Sequence, residues 1–226
     1  MSELSDYTAS LTPEQQEHVA QLRRKFFRWV SIISVIGTIL FMFVLRYTVY
    51  NYKSPDDYAQ YITHKDKFMR FNAAKALGQF ENDNKAVILL TQMLNDTSKE
   101  VKWHACASLA RLRSNKAIPA LKHFVEREKD VSAKSVGIYA LGQIKDNNIT
   151  PFLLEEFEKS IIKKDEKTIK DERIIQFSII QSLAFINSSE SIKGLEEIKN
   201  RENIDKEAKD FISNMIKSHG LDLNKK

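Results

Sequence analysis

Hydrophobic positions along the chain fall into two patterns. From Trp29 to Leu45 seventeen consecutive residues, WVSIISVIGTILFMFVL, carry no charge. Beyond them, apolar residues recur at i, i+3 and i+4 between short polar turns, which predicts a succession of amphipathic helices. The helices repeat. AAKALGQF at 73–80 returns as ACASLARL at 105–112, as GIYALGQI at 137–144 and, weakly, as IIQSLAFI at 179–186. The step from Leu77 to Leu109 to Leu141 is 32 residues each time, and the step to Leu183 is 42. A fixed period of this length predicts stacked helix pairs that bury one continuous core and present long outer faces.

The second helix of each pair repeats its own stripe. Ala86, Val87, Leu90, Met93 and Leu94 fill five core places in the first repeat, and Ala117, Ile118, Leu121, Phe124 and Val125 fill them in the second. Ile149, Thr150, Leu153 and Phe157 match in the third, where Glu156 departs. Ser191, Ile192, Leu195 and Ile198 match in the fourth, where Lys199 departs. The ten extra residues of the long step lie within KKDEKTIKDE, 163–172, expected as a longer helix end or an exposed loop. Residues 204–218, with Ala208, Phe211, Ile212, Met215 and Ile216, predict a terminal helix that caps the last repeat.

The uncharged run covers roughly 25 Å as a helix, slightly short of a bilayer core. Its flanks extend it. Arg28 and Arg46 bracket the run, Phe26, Phe27 and Trp29 mark one interface, and Tyr47, Tyr50 and Tyr52 mark the other. These are the anchors a transmembrane helix uses. Arg23, Arg24, Lys25 and Arg28 crowd the N-terminal flank. Positive charge on that side places the N-terminus in the cytoplasm and the repeats outside it. Thr12-Pro13-Glu14-Gln15 reads as a helix start, running unbroken into the span. Ser54-Pro55-Asp56-Asp57 restarts a helix after it, with Ser54 as cap. The expected organisation is a cytoplasmic, partly helical segment at 1–28 with residues 1–11 disordered, then a span at 29–46. A linker at 47–54, a repeat domain at 55–219 and a frayed tail at 220–226 follow.

Composition narrows the picture. Only 6 Gly and 4 Pro occur in 226 residues, which favours helices over strands and turns. Formal net charge is +5, of which residues 1–53 hold +2. The remainder is spread thinly, unlike the concentrated basic face of a nucleic-acid binder. Cys106 is the sole cysteine, so no internal disulfide or Cys-x-x-Cys site is possible. It lies between Ala105 and Ala107, as a small buried side chain would.

The strings NAAKALGQF, NDTSKEVKWHACASLARL and SNKAIPALKHFV resemble HEAT repeats, and most nearly the phycobilisome-lyase-like HEAT repeats. The resemblance spans about residues 64–200. It implies an all-α, right-handed α-α superhelix, here behind one N-terminal transmembrane helix, with the second helix of each pair on the concave side. It also implies an acidic–basic ladder between repeats, with Asp96 and Lys102 in its places and Glu128 and Lys134 one repeat on. His64 with Arg70, and Lys170 with Gln176, depart from that pattern.

Aligning the second helices by their core exposes a polar stripe: Gln92, His123, Glu155 and Glu197 at one position, Asn95, Glu126, Glu158 and Asn200 at another. On the geometry the resemblance implies, it faces the concave side. It holds four Glu and no Lys or Arg, so it suits a basic or polar protein segment and repels phosphates. His18, His64, His104, His123 and His219 show no metal-ligand spacing, and no Gly-rich phosphate loop occurs. The sequence predicts no catalytic residue, metal or cofactor. It points to a non-enzymatic scaffold or adaptor in a bacterial inner membrane, single-pass, with its repeats on the extracytoplasmic side and a protein of the envelope as partner. A structural subunit held through its span is the alternative. A chromophore-lyase-like activity, which the resemblance also implies, sits poorly with a membrane anchor.

Overall fold

In the computed structural model the backbone is described for residues 12–49, 54–161, 166–218 and 220, and side chains for 12–42, 54–161, 170–218 and 220. The chain divides into two units, Met1–Tyr52 and Lys53–Lys226. Among the described residues there is no strand. The expectations of disorder over 1–11 and of fraying over 221–226, and the interfacial places of Tyr50 and Tyr52, lie outside the described residues. So do the side chains of Arg46 and Tyr47.

The first unit is one helix, α1 (Pro13–Val49). Its start is the expected capping box: the Thr12 amide donates to Gln15 Oε1 at 2.9 Å and the Gln15 amide to Thr12 Oγ1 at 3.4 Å. Its 37 residues reach about 55 Å, nearly twice a bilayer core. It is one helix long and apolar enough to cross a membrane, and none of its most apolar window is buried. Trp29, Ile33, Ile36, Leu40 and Met42 are all more than half exposed. Ser31 and Thr38 return their hydroxyls to the carbonyls of Phe27 and Ser34, which satisfies those two donors within the helix.

The second unit opens with a single turn, α2 (Asp56–Ala59). Ser54 does not cap it. The polarity is reversed, and Asp57 accepts from the Ser54 amide and hydroxyl. Helix pairs follow: α3 (Lys67–Leu77) with α4 (Asn84–Met93), α5 (Lys99–Leu112) with α6 (Ile118–Arg127), α7 (Val131–Ile144) with α8 (Thr150–Ile161), and α9 (Glu166–Ile186) with α10 (Ser189–Lys199). A last helix, α11 (Lys206–Ser218), packs on α9 and α10 and buries Ala208 and Ile212, as a cap does. Residues 166–172 of the charged insertion extend α9 at its N-terminal end, so there it is a longer helix end.

Local chemistry sets the ends. Asp66, Asp83, Asp130 and Ser188 each accept from a backbone amide in the first turn of the helix that follows. Arg113, Lys145 and Asn187 close α5, α7 and α9 in the left-handed region, with φ of 49°, 61° and 53°. The five core places of α4 are all buried, and Glu156 is buried in α8 like its apolar equivalents.

The two layers pack differently. α3, α5, α7 and α9 lie side by side in intimate contact, whereas α4, α6, α8 and α10 barely touch one another and instead lean on the first helices. Small residues cause this. A Cβ on Gly78 would stand 2.5 Å from Ser108 Oγ, and one on Gly142 would stand 2.6 Å from Ser182 Cα. Ser108 and Ser182 donate across the same contacts to the carbonyls of Ala74 and Ile138. A stack of pairs curves toward the layer whose helices sit closer. The first-helix layer is therefore the inner one, which reverses the placement that the resemblance implies.

Candidate functional site

The ladder runs through the repeats from the first onward. Arg70 grips Asp96 with two guanidinium nitrogens, at 2.6 and 3.0 Å, and also donates to the carbonyl of His64. Lys102 pairs with Glu128, and Lys134 with Glu156 at 2.9 Å. The N-terminal step forms although His64 is not acidic, because Arg70 takes its carboxylate forward, from Asp96, and only backbone carbonyls behind it. At the far end Gln176 donates to the carbonyl of Ser160 at 3.5 Å, so the charged ladder stops there. Asp96 and Glu128 also accept from the amides of Ser98 and of Lys129 and Asp130, which ties each inter-repeat bridge to the next helix start. Burial opposes the charge on Glu128 and Glu156. Hydrogen bonds from Lys102, and from Lys159 and Lys134, outweigh it and hold both carboxyls below their ordinary value.

All eight residues of the polar stripe are exposed, on the outer face of the splayed layer. The stripe is less acidic than its sequence. Lys159 bridges Glu155 at 2.8 Å, Arg201 donates to Glu158 at 2.9 Å, and Arg127 lies 3.1 Å from His123. The Arg201 hydrogen bond keeps the Glu158 carboxyl below its usual range. Those cations come from neighbouring turns and from the loop after α10, so alignment of helix positions did not bring them into view. Arg28 and Trp29 are exposed on α1.

The face that sequence reasoning missed lies on the inner layer. Phe71, Trp103 and Phe177 hold equivalent places on α3, α5 and α9. His104 is wedged edge-on between Phe71 and Trp103, with ring centroids 4.2 and 4.7 Å apart. Burial, and then the charge of Lys75, press its pKa below the ordinary value. Tyr139 meets Phe185 at 5.7 Å, and Phe177 meets Phe211 at 4.9 Å. Trp103 remains 38% exposed, Ile174 43% and Phe68 65%, so this face keeps apolar surface in water. Two open grooves lie on it. One, about 700 Å³, runs between α5 and α7 past Arg111, Arg113, Tyr139 and Gln143. The other, about 660 Å³, runs between α9 and α11 past Lys170, Ile174, Phe177 and Phe211. The signal was available in the repeat register two places before Ala73, Ala105 and Ile179, where Phe71, Trp103 and Phe177 recur.

Cys106 is buried, and burial pushes its thiol far above the ordinary range. Among the described residues no group of three or more His, Cys, Asp or Glu side chains is placed to hold a metal ion.

Residues 88–160 match the family model described as HEAT repeats, a segment that begins inside α4 and ends in α8. No curated protein matches the chain. Among solved structures, human deoxyhypusine hydroxylase in complex with glycerol is similar over 79% of this chain and 99% of its own, at 10% identity and a TM-score of 0.42.

Proposed function

We propose that this HEAT-repeat chain is a membrane-anchored scaffold. α1 spans the bilayer and the repeats dock a protein partner on the extracytoplasmic side. One observation carries the reading: the chain joins an apolar helix with no buried residue in its most apolar window to a repeat unit that buries its own core and carries its own cap. In water that exposed helix would be an aggregation surface, whereas in hydrocarbon its backbone and side chains are satisfied. The basic cluster from Arg23 to Arg28 supports an N-terminus in the cytoplasm, and the membrane we propose is a bacterial inner membrane. The repeat faces act by binding and not by catalysis.

The test is membrane extraction followed by cysteine labelling. Full-length chain is expected in the pellet after alkaline carbonate washing. In intact cells, a membrane-impermeant maleimide should label Glu81→Cys and spare Glu14→Cys. Release of the full-length chain by carbonate, or labelling of Glu14→Cys alone, overturns the anchor or its orientation.

A further inference from the structure

We propose that the inner face of the repeats is a docking groove for an extended, acidic segment of a partner protein that also carries apolar side chains. The inference rests on the scaffold reading above and names the face and the chemistry of the segment.

Three observations converge on that occupant. The first is shape. The grooves at α5/α7 and α9/α11 share one face, since Tyr139 in the first and Gln181 in the second hold equivalent places in their repeats. Two helix steps of roughly 8–10 Å separate them. A strand-like segment of about six to eight residues covers that distance.

The second observation is charge. Lys75, Arg111 and Lys170 point from this layer with no carboxylate partner among the described ion pairs, and Arg113 is held only by the side-chain oxygen of Gln143, at 3.2 Å. Glu100 at the rim is matched to Lys67, and Arg173 to Glu207 and Asp205, which leaves Glu81 as the acidic side chain of the first groove. On the opposite, splayed face Glu155 and Glu158 are bridged by Lys159 and Arg201, while Glu126 and Glu197 keep that face acidic. The inner face thus offers positive side chains that no carboxylate of the described repeats covers, and the polar stripe of the outer face does not.

The third is the aromatic surface between the cations. Trp103, Ile174 and Phe68 are exposed beside rings already packed edge to face, so they are positioned at small entropic cost to receive apolar side chains. Nucleic acid would also answer to positive charge. The cations here are sparse and separated by carbon surface, and a mixed acidic and apolar peptide satisfies both.

The experiment uses full-length protein in detergent micelles, with Trp29→Phe so that Trp103 is the sole tryptophan. Two peptides are titrated while Trp103 emission is followed. One has Glu at one end and Leu and Phe at the other, and its twin has Lys in place of Glu. The acidic peptide is expected to shift Trp103 emission to the blue and to bind about ten-fold tighter than its twin, the sum of several exposed ion pairs. That preference should shrink in high salt and vanish in a Lys75→Glu/Arg111→Glu variant. A Glu126→Lys/Glu155→Lys variant on the outer face should keep it. Equal or tighter binding of the basic peptide, no binding of either, or undiminished binding by the Lys75→Glu/Arg111→Glu variant overturns the proposal. If the chain is carbonate-resistant with the expected labelling while the peptides fail, the anchored-scaffold reading stands and only this groove falls.

Discussion

Lys134 holds a carboxylate oxygen of Glu156 at 2.9 Å, and that carboxylate belongs to a side chain only 2% exposed. Glu156 stands where the other second helices place Met93, Phe124 and Ile198, and Lys159 closes its other side at 2.8 Å. The third repeat has exchanged an apolar core contact for a bridge to α7. Removing one partner of such a bridge strands a buried charge. Lys134→Ala is expected to lower stability by about 2–3 kcal/mol, less than for an unaided pair because Lys159 remains. Glu156→Leu, which restores the apolar pattern, should cost less than about 1 kcal/mol. Chemical denaturation of both variants checks the order.

Acid should loosen the repeats through the same groups. Glu128, Glu156 and Glu158 all have folded values held below the ordinary 4.5. A depressed carboxyl contributes stability that is complete above its unfolded value and lost as pH falls through its folded value. Stability should therefore be flat above about pH 5 and decline from about pH 4.5 downward. Glu156→Gln should make that decline shallower. Thermal unfolding measured across this range decides it.

Gly142 and Gly78 set the spacing of the inner layer, and they should differ in tolerance. The Cβ of Gly142→Ala meets the backbone of Ser182, which cannot turn aside, and a loss of about 2–3 kcal/mol is expected. Gly78→Ala meets the hydroxyl and Cβ of Ser108, at 2.5 and 2.7 Å, but stands 3.1 Å from its Cα, so α5 shifts less, the Ser108 bond to Ala74 is lost, and about 1–2 kcal/mol is expected. Gly37→Ala, with nothing near it, should leave stability unchanged within about 0.5 kcal/mol.

Lys145 closes α7 at φ 61° with its side chain exposed. Lys145→Gly should stabilise the fold by about 0.5–1 kcal/mol, because glycine adopts this conformation without strain. A fall in the melting midpoint would show that the lysine stem contributes packing that its exposure hides.

Cys106 should be silent toward thiol reagents in the native chain and react on unfolding, since burial both shields it and disfavours its thiolate. Rapid labelling under native conditions would mean that α5 opens readily.

The fold was legible because its period is written in core residues. Leu77, Leu109, Leu141 and Leu183 mark the register, and all four are fully buried. The stop of the ladder at Gln176 was legible for the same reason. What the register hid was side-chain reach. It gave no sign that Arg70 would bridge forward to Asp96, or that Lys159 and Arg201 would cover the acidic stripe. The inner face escaped for another reason. Which layer is concave depends on how closely Gly78 and Gly142 let neighbouring helices approach, a property of pairs of helices that no single helix displays.

The central claim is that a partner protein docks on the inner face of the anchored repeats. The most direct test places a photo-crosslinking residue at Trp103 on that face, or at Glu126 on the outer face, in full-length protein in native membranes. One discrete crosslinked product from position 103, with none from 126, is the result this structure predicts. Crosslinking from 126 with none from 103 would contradict it.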